Sequence, residues 1–581
     1  MSVRHYRWVL RLPPREVVQA LVQEGGFPRL LAVFLANRGF REAGAARDFL
    51  FPDLSAFGDP MTIPGMLPAV QILAQALESG SPIGIYADYD VDGVTGAAIL
   101  HLFLRELGGQ TLVLFPHREK DGYGFHAHHL PYFRERGAGV VVTVDCGITN
   151  HDTVEEAKRL GLKVIVTDHH EIPGDLPPAE AVVTGKRLPP DSPFYPLCGA
   201  GTVLALIRGL RRYLLDRGYF AHRAVPNLKR YLDLAALGTV ADMVPLRGEN
   251  RLIAVFGLEE LSQSPRPGIR ALKEIAGIKG PVGTEEVLFR LAPRLNAAGR
   301  LREARLAFEL LVSEDPNQAA ELAQELNRLN SERQRVEEEV LSGILQSLPQ
   351  DPPAGIVIHG EDWPLGVLGI VAGRVAEKFY RPVVVLTRKG EIFKGSGRSI
   401  PEVNLFETFR LCAEHLLGYG GHPAAGGVKL HPQSLESFRK TFARVVEDLL
   451  RQKGFDPAED LRPRLTLEGQ ARLTEILDPD FVEGFRRLAP FGPGNPEPVL
   501  ALSEFEVRQP RLMAEKHLRF ILWQDGRGLS AVGFNFDPQV LTFINDGNGN
   551  LVVAATPWIA EYQGDEYLEL RIHDFLKREG S

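Results

Sequence analysis

Cysteine is nearly missing from this 581-residue chain: Cys146, Cys198 and Cys412 are widely spaced and none belongs to a CxxC pair. Neither a disulfide framework nor a thiolate zinc site is supported, and a reducing cytoplasm is the expected compartment. Long apolar runs are missing too. No stretch reaches roughly 18 apolar residues, and charges interrupt the apolar part of MSVRHYRWVLRLPPREVV at the N-terminus, so a soluble, unexported protein is expected. A cationic excess is also absent. The net charge is −8, so a polyanionic partner must be held by a local basic surface. Internal repeats and low-complexity segments are lacking, and 44% apolar with 24% charged residues excludes collagenous and disordered classes.

What is present reads as several domains, since a domain averages about 150 residues. From Pro82 onward, short β-rich runs (IGIY at Ile83, LVLF at Leu112, VVVTV at Val140, VIVT at Val164, AVV at Ala181) alternate with helical stretches such as Thr95 to Leu107 and Val154 to Leu160. The runs are continuously apolar, as when crossover helices cover both faces of a parallel sheet. This predicts a doubly wound α/β domain, whose ligands bind beyond the carboxyl ends of the strands. A long polar helix is expected from the N-cap Asp315-Pro316 to about Pro349, as a rigid interdomain spacer. A second, smaller α/β segment follows, with Gly355 to His359, Pro382 to Thr387 and the glycine-rich Gly418 to Gly427. Runs at Leu500, Leu518, Leu529, Leu551 and Leu568, separated by turn signals such as Asp525-Gly526 and Gly564-Asp565, predict a five-stranded β barrel of the OB type, with a sandwich as the alternative.

The residues after the predicted strands carry the chemistry. The first strand exits into Asp88-Tyr89-Asp90-Val91-Asp92-Gly93, the third into Asp145, the fourth into Asp168-His169-His170. Taken singly, an Asp after a strand is usually a helix N-cap and a His pair is usually a solvated loop. Taken together, adjacent carboxylates repel, and hard oxygen donors with imidazole suit Mn²⁺ or Mg²⁺, with enough ligands for two ions. A haloacid-dehalogenase-like phosphatase would explain Asp90-Val91-Asp92 through a single Mg²⁺ and a Lys, but it leaves Asp168-His169-His170 without a role.

The chain resembles the DHH phosphoesterases, and within them the single-strand-specific exonucleases. The resemblance rests on seven motifs in order: YADYDVDGVTG from Tyr86, VTVDCGIT from Val142, TDHH from Thr167, LGTVADMVPL from Leu237, RLNAAGR from Arg294, GSGRS from Gly395 and GYGGHPAAGG from Gly418. It implies that Asp90 and Asp92 each bind one of two Mn²⁺ or Mg²⁺ ions, that Asp145 bridges them, and that His169 and Asp242 complete the second site. Asp88 would support the cluster and His170 would contact the substrate phosphate. Where other members place a metal-binding His, four residues before Asp90, this chain has Tyr86. In the second domain, Ser396 and Arg398, with Arg300, would grip a 5′-terminal phosphate, and His422 would touch the backbone.

The domain reading that follows is 1–60, an N-terminal helical segment; 61–250, the DHH catalytic domain; 251–349, a helical connector; 350–460, DHHA1; and 461–581, an OB-fold domain. Taken alone, the basic segment Arg381 to Ile400, with Arg388, Lys389, Lys394 and Arg398 against Glu391, is usually a solvated face. Stacking aromatics in the last domain would be Trp523, Phe534 or Tyr562, and Cys146 reads as a small buried residue rather than a nucleophile. The expected function is Mn²⁺- or Mg²⁺-dependent 5′→3′ degradation of single-stranded DNA to mononucleotides in repair and recombination. A monomer is expected, with a repair helicase and a single-strand-binding protein as partners. A hydrolase of short oligonucleotides or cyclic dinucleotides, or a catalytically silent replication scaffold, are the alternatives.

Overall fold

The computed structural model describes residues 3–457, 460–547, 550–562 and 565–578. They form two compact units. One comprises residues 54–457 with 492–494; the other gathers 3–53, 460–491 and 495–578.

The larger unit is built on a five-stranded sheet of β1 (Ile83–Ala87), β2 (Thr111–Leu114), β3 (Val140–Val144), β4 (Lys163–Thr167) and β5 (Ala181–Val183). Every pairing is parallel and the order is β2-β1-β3-β4-β5. All five residues of β1 and of β3 are buried, which is why these strands read as unbroken apolar runs. The chain reverses its winding between β1 and β3, the point where doubly wound sheets open a crevice. Register sharpens this: Ala87 pairs with Val144 and Val144 with Thr167, so residues 88, 145 and 168 leave the sheet at one level.

The long helix spans Pro316–Ser347, with the Asp315 side chain accepting from the Asn317 amide as N-cap. It is more than a spacer. Ala319, Ala323 and Leu326 belong to the core around the parallel sheet, whereas Val340 and Ile344 belong to the core of the next domain. One helix thus serves two cores, which fixes the geometry between them.

That next domain carries a second sheet of β6 (Ile356–Gly360), β7 (Val383–Lys389), β8 (Ile392–Arg398), β9 (Gly418–Gly421) and β10 (Ala425–Leu430), in the order β9-β10-β8-β7-β6. Glycine is required at 395, where a Cβ would fall 2.3 Å from the Val385 carbonyl oxygen.

The smaller unit holds a seven-stranded sheet. The five expected runs are all strands, and two more were not expected: Gly469–Gln470 and the edge strand Glu506–Met513. The latter contains Pro510 and a register shift between Arg508 and Arg511, both tolerated because its outer edge is unpaired in the sheet. The N-terminal helices share this unit's core, with Leu21, Leu30 and Phe34 in one apolar cluster with Phe481, Leu500 and Leu518. Arg7–Leu10 pairs in parallel with Arg464–Leu467. Among the described residues, no helix is long and apolar enough to cross a membrane.

Candidate active site

The helix after β1 spans Val91–Glu106, beginning inside the acidic motif rather than at Thr95. Asp90 is its N-cap, with Oδ1 accepting from the amides of Asp92 (3.0 Å) and Gly93 (3.1 Å). The local capping role and the cluster are therefore both real. Asp92, in the first turn, is buried against the start of the helix Gly199–Asp216 and accepts from the amides of Gly199 (2.5 Å) and Ala200 (2.8 Å). Glycine at 199 makes room: a Cβ there would fall 2.6 Å from the Asp145 Cβ and 2.9 Å from Asp92 Oδ2.

Asp145 leaves β3 with φ +61°, a left-handed conformation that Asp tolerates better than most residues. Its Oδ1 is buried without a hydrogen bond, although His169 Nε2 lies 3.0 Å away. The same Nε2 stands 3.6 Å from Asp242 Oδ2 and 3.8 Å from Asp92 Oδ2. Three carboxylates thus surround one imidazole nitrogen. Asp242 follows the helix Leu232–Ala241, and its Oδ2, like Asp88 Oδ1, is buried without a partner.

Asp168 does different work. Its Oδ1 accepts from the backbone amides of His169 (2.7 Å) and His170 (3.1 Å) and lies 2.8 Å from His170 Nδ1, while Oδ2 accepts from the Ile148 amide at 3.0 Å. Tyr123, which the sequence reading passed over, puts its hydroxyl 2.9 Å from His170 Nδ1 and donates to the Asp145 carbonyl at 3.2 Å.

Electrostatics divide the site. Burial first, then the other carboxylates, pushes Asp92 up to about 6 and Asp242 up to about 9, and moves Asp88 and Asp145 well above the ordinary carboxylate range. Burial and the neighbouring His170 lower His169 to about 3. Burial also opposes the charge on Asp168 and His170, but their mutual hydrogen bond wins, lowering the one and raising the other. Donor atoms gather in three overlapping sets, Asp88-Asp90-Asp145, Asp92-His169-Asp242 and Asp145-His169-His170, each with its atoms within 4.8 Å of one another. Orphaned carboxylate oxygens, a deprotonated imidazole and a shared Asp145 fit hard divalent cations. Tyr86 offers them nothing: its buried hydroxyl donates to the Gly124 carbonyl.

A second cluster has the opposite sign. Arg300 donates to the Gly366 carbonyl at 2.9 Å, at the N-terminus of the helix Leu365–Phe379. A Cβ on Gly369 of that helix would fall 2.9 Å from Arg398 Nη2 and 3.1 Å from Ser396 Oγ. Burial first, then Arg118, Arg333 and Arg398, lowers the Arg300 pKa; burial and Arg118 lower that of Arg398. Crowded guanidiniums at a helix N-terminus suit an anion. Arg118 was missed by sequence reading because no motif surrounds it. The rest of the basic segment differs: Arg381 lies 3.6 Å from Asp351 and Arg388 3.7 Å from Glu361. His422, beyond β9, acts electrostatically on His169.

Cys146 is buried, with its thiol pushed up by burial and then by Asp168, as expected of a packing residue. In the smaller unit, Arg508 lies 3.9 Å over the half-buried Trp523 ring and Phe534 is exposed, while the side chain of Tyr562 lies outside the described residues.

Comparison with known proteins agrees with this geometry. The DHH family N-terminal domain matches residues 82–239, the DHHA1 domain 353–448 and the RecJ OB domain 468–574. The chain is 34% identical to the single-stranded-DNA-specific exonuclease RecJ of Salmonella typhimurium, over 97% of its own length and 98% of the relative's. It is 35% identical to RecJ of Bacillus subtilis over 92% of its length, spanning 66% of that longer protein. The crystal structure of Thermus thermophilus RecJ with Mn²⁺ superposes with a TM-score of 0.81 at 31% identity, covering 99% of this chain and 80% of that one. The parallel sheet, its facing carboxylates and these matches agree, and the chain belongs to the RecJ family within the DHH phosphoesterases.

Proposed function

We infer that this protein is a single-stranded-DNA-specific exonuclease that hydrolyses phosphodiesters with two divalent ions, Mn²⁺ or Mg²⁺, and removes mononucleotides in the 5′→3′ direction, serving DNA repair and recombination. The observation that carries this reading is Asp145, which has a buried, orphaned Oδ1 and belongs to two adjacent donor sets at the switch point of the sheet.

Asp88, Asp90 and Asp145 would hold one ion; Asp145, Asp92, His169 and Asp242 the other. Such ions, when bound, activate water and neutralise charge developing on phosphoryl oxygens. The protein's own groups do the rest. The amides of Gly199 and Ala200 fix the rotamer of Asp92. Asp168 holds His170 through Nδ1 and favours its protonated form against burial, so that Nε2 would donate to the substrate phosphate. Arg118, Arg300, Arg398 and Ser396, at the start of the helix Leu365–Phe379, would take the 5′-terminal phosphate, and His422 would meet the backbone between the two clusters. Holding the end of the strand sets polarity.

The test compares single strands labelled at the 5′ or the 3′ end, with and without Mn²⁺. Labelled mononucleotide should appear at once from the 5′ label, late from the 3′ label, and not at all without the metal. Early release from the 3′ end, or cleavage in chelator, overturns the reading.

A further inference from the structure

Between β2 and the helix Leu130–Glu135 runs a segment with five histidine-or-aspartate side chains, His117, Asp121, His126, His128 and His129, none of which enters the chemistry above. We propose that Asp121, His128 and His129 form a separate metal site for a divalent transition ion of the imidazole-binding class, of which Zn²⁺ is the probe.

The three side chains present donor atoms within 4.8 Å of one another. His128 Nε2 lies 3.1 Å from Asp121 Oδ1, and His129 Nε2 lies 3.8 Å from Asp121 Oδ2. Ligand atoms at such separations can share an ion at bond lengths of about 2.0 to 2.2 Å after small rotations.

The proton inventory singles out His129. The Tyr86 hydroxyl has one proton, and it goes to the Gly124 carbonyl at 3.2 Å. The 3.3 Å contact between that hydroxyl and His129 Nδ1 therefore needs its proton on Nδ1. Nε2 is left with a lone pair, facing a carboxylate with no proton between them. A cation belongs there, and a metal-binding histidine is usually supported by an acceptor that fixes the tautomer through the far nitrogen, a part the buried Tyr86 hydroxyl can take here. Asp121 is also pre-oriented, since its Oδ2 accepts from the His117 amide at 2.7 Å. The site is reachable: Asp121 and His129 line a cleft of about 380 Å³.

An ion here would act as a clip. The same segment carries Arg118 into the arginine cluster and Tyr123 to His170; closing it through Asp121, His128 and His129 ties down both ends of the stretch that holds Tyr123, immediately beyond Arg118. Tyr86, in the position where relatives bear a metal-binding His, would orient a ligand of this second site.

The experiment uses full-length protein stripped with chelator, then dialysed against Zn²⁺ in excess Mg²⁺, which occupies oxygen-rich sites but competes poorly for imidazole. Wild type, His128→Ala and His169→Ala are compared for bound Zn²⁺ and for hydrogen exchange over residues 117–129. His128 is 59% exposed, so its removal spares the fold. His128→Ala should bind one equivalent less than wild type, or bind it at least ten-fold more weakly, and lose the slowing of exchange by Zn²⁺. His169→Ala should keep that ion and that slowing. Unchanged Zn²⁺ stoichiometry and affinity in His128→Ala, or slowing that vanishes in His169→Ala instead, overturns the proposal.

Discussion

The carboxylate mouth at the ends of β1 and β3 and the arginine cluster at the helix Leu365–Phe379 are mirror images in charge. In the first, burial and mutual repulsion raise the pKa values of Asp88, Asp92, Asp145 and Asp242. In the second, burial and mutual repulsion lower those of Arg300 and Arg398. Two like charges about 4 Å apart repel by roughly 4 kcal/mol at intermediate dielectric, so neither cluster is at rest by itself. Each calls for a ligand of opposite sign: divalent cations in one and, in the function proposed above, a terminal phosphate in the other. The difference lies in what each can do when neutral. A carboxylate can take up a proton and relax, whereas a guanidinium stays charged and holds its strain until an anion arrives. The mouth should therefore respond to pH and metal, the arginine cluster to the substrate's end.

The strongest way to break the comparison is Asp145→Asn. Asparagine tolerates the left-handed backbone at 145 and keeps the volume, while removing the charge shared by both donor sets. Hydrolysis should fall by several orders of magnitude in single-turnover assays, with single-strand affinity within a few-fold of wild type. Turnover near wild type would mean that the shared carboxylate does not unite the two sets.

Arg398→Ala comes next. A charge-assisted contact to a terminal phosphate is worth about 1.5 to 3 kcal/mol, or roughly 10- to 150-fold. That loss should appear in kcat/KM for 5′-phosphorylated strands and be much smaller for 5′-hydroxyl strands; Arg118→Ala should show the same preference. Equal losses on both substrates would make the cluster a generic backbone contact.

How much of this could be read from residues alone follows from the range of the interactions. The parallel sheet was legible because covered strands are continuously apolar, and the mouth because parallel strands deliver their carboxyl ends to one edge. The helix start at Val91 was not, because Asp-Val-Asp-Gly reads as loop until Asp90 is seen capping it. Arg118 and Tyr123 were invisible, since their partners Arg300 and His170 lie far along the chain and no local pattern marks them. The core joining Leu30 and Phe34 to Phe481 and Leu500 links residues more than 400 positions apart and leaves no periodicity to detect. Trp523 was legible as an aromatic but not as a ring already covered by Arg508.

The comparison is sharpened by pH. Asp92 and Asp242 have folded values raised to about 6 and about 9, against about 3.9 in an unfolded chain. Between those limits the native state binds more protons than the unfolded one, so the metal-free protein loses stability as pH rises through the window, by up to about 1.4 kcal/mol per pH unit for each such group. Mn²⁺ requires deprotonated ligands, so its stabilising effect in urea titrations should grow as pH rises from 6 toward 9. Asp242→Asn should flatten the metal-free slope, and Arg398→Ala should leave it unchanged. A slope unaffected by Asp242→Asn would show that the strain of the mouth does not reside in its carboxylates.

The smallest effect is expected one residue from the largest. Cys146 follows Asp145 in sequence, yet its side chain is 1% exposed and packs with Tyr86, Phe125 and Val166 rather than in the mouth. Its thiol is held neutral by burial and then by Asp168 and Asp88, and no cation among its influences draws it toward a thiolate. Cys146→Ala keeps the Cβ and the backbone that positions Asp145, and forfeits only the sulfur's packing, about 1 kcal/mol of stability. Turnover should stay within two-fold of wild type while the urea midpoint drops slightly. A loss comparable to that of Asp145→Asn would mean that the mouth is governed by packing behind β3 as much as by the charges in front of it, and the contrast between a cluster relieved by protons or metal and one relieved only by an anion would no longer rest on charge alone.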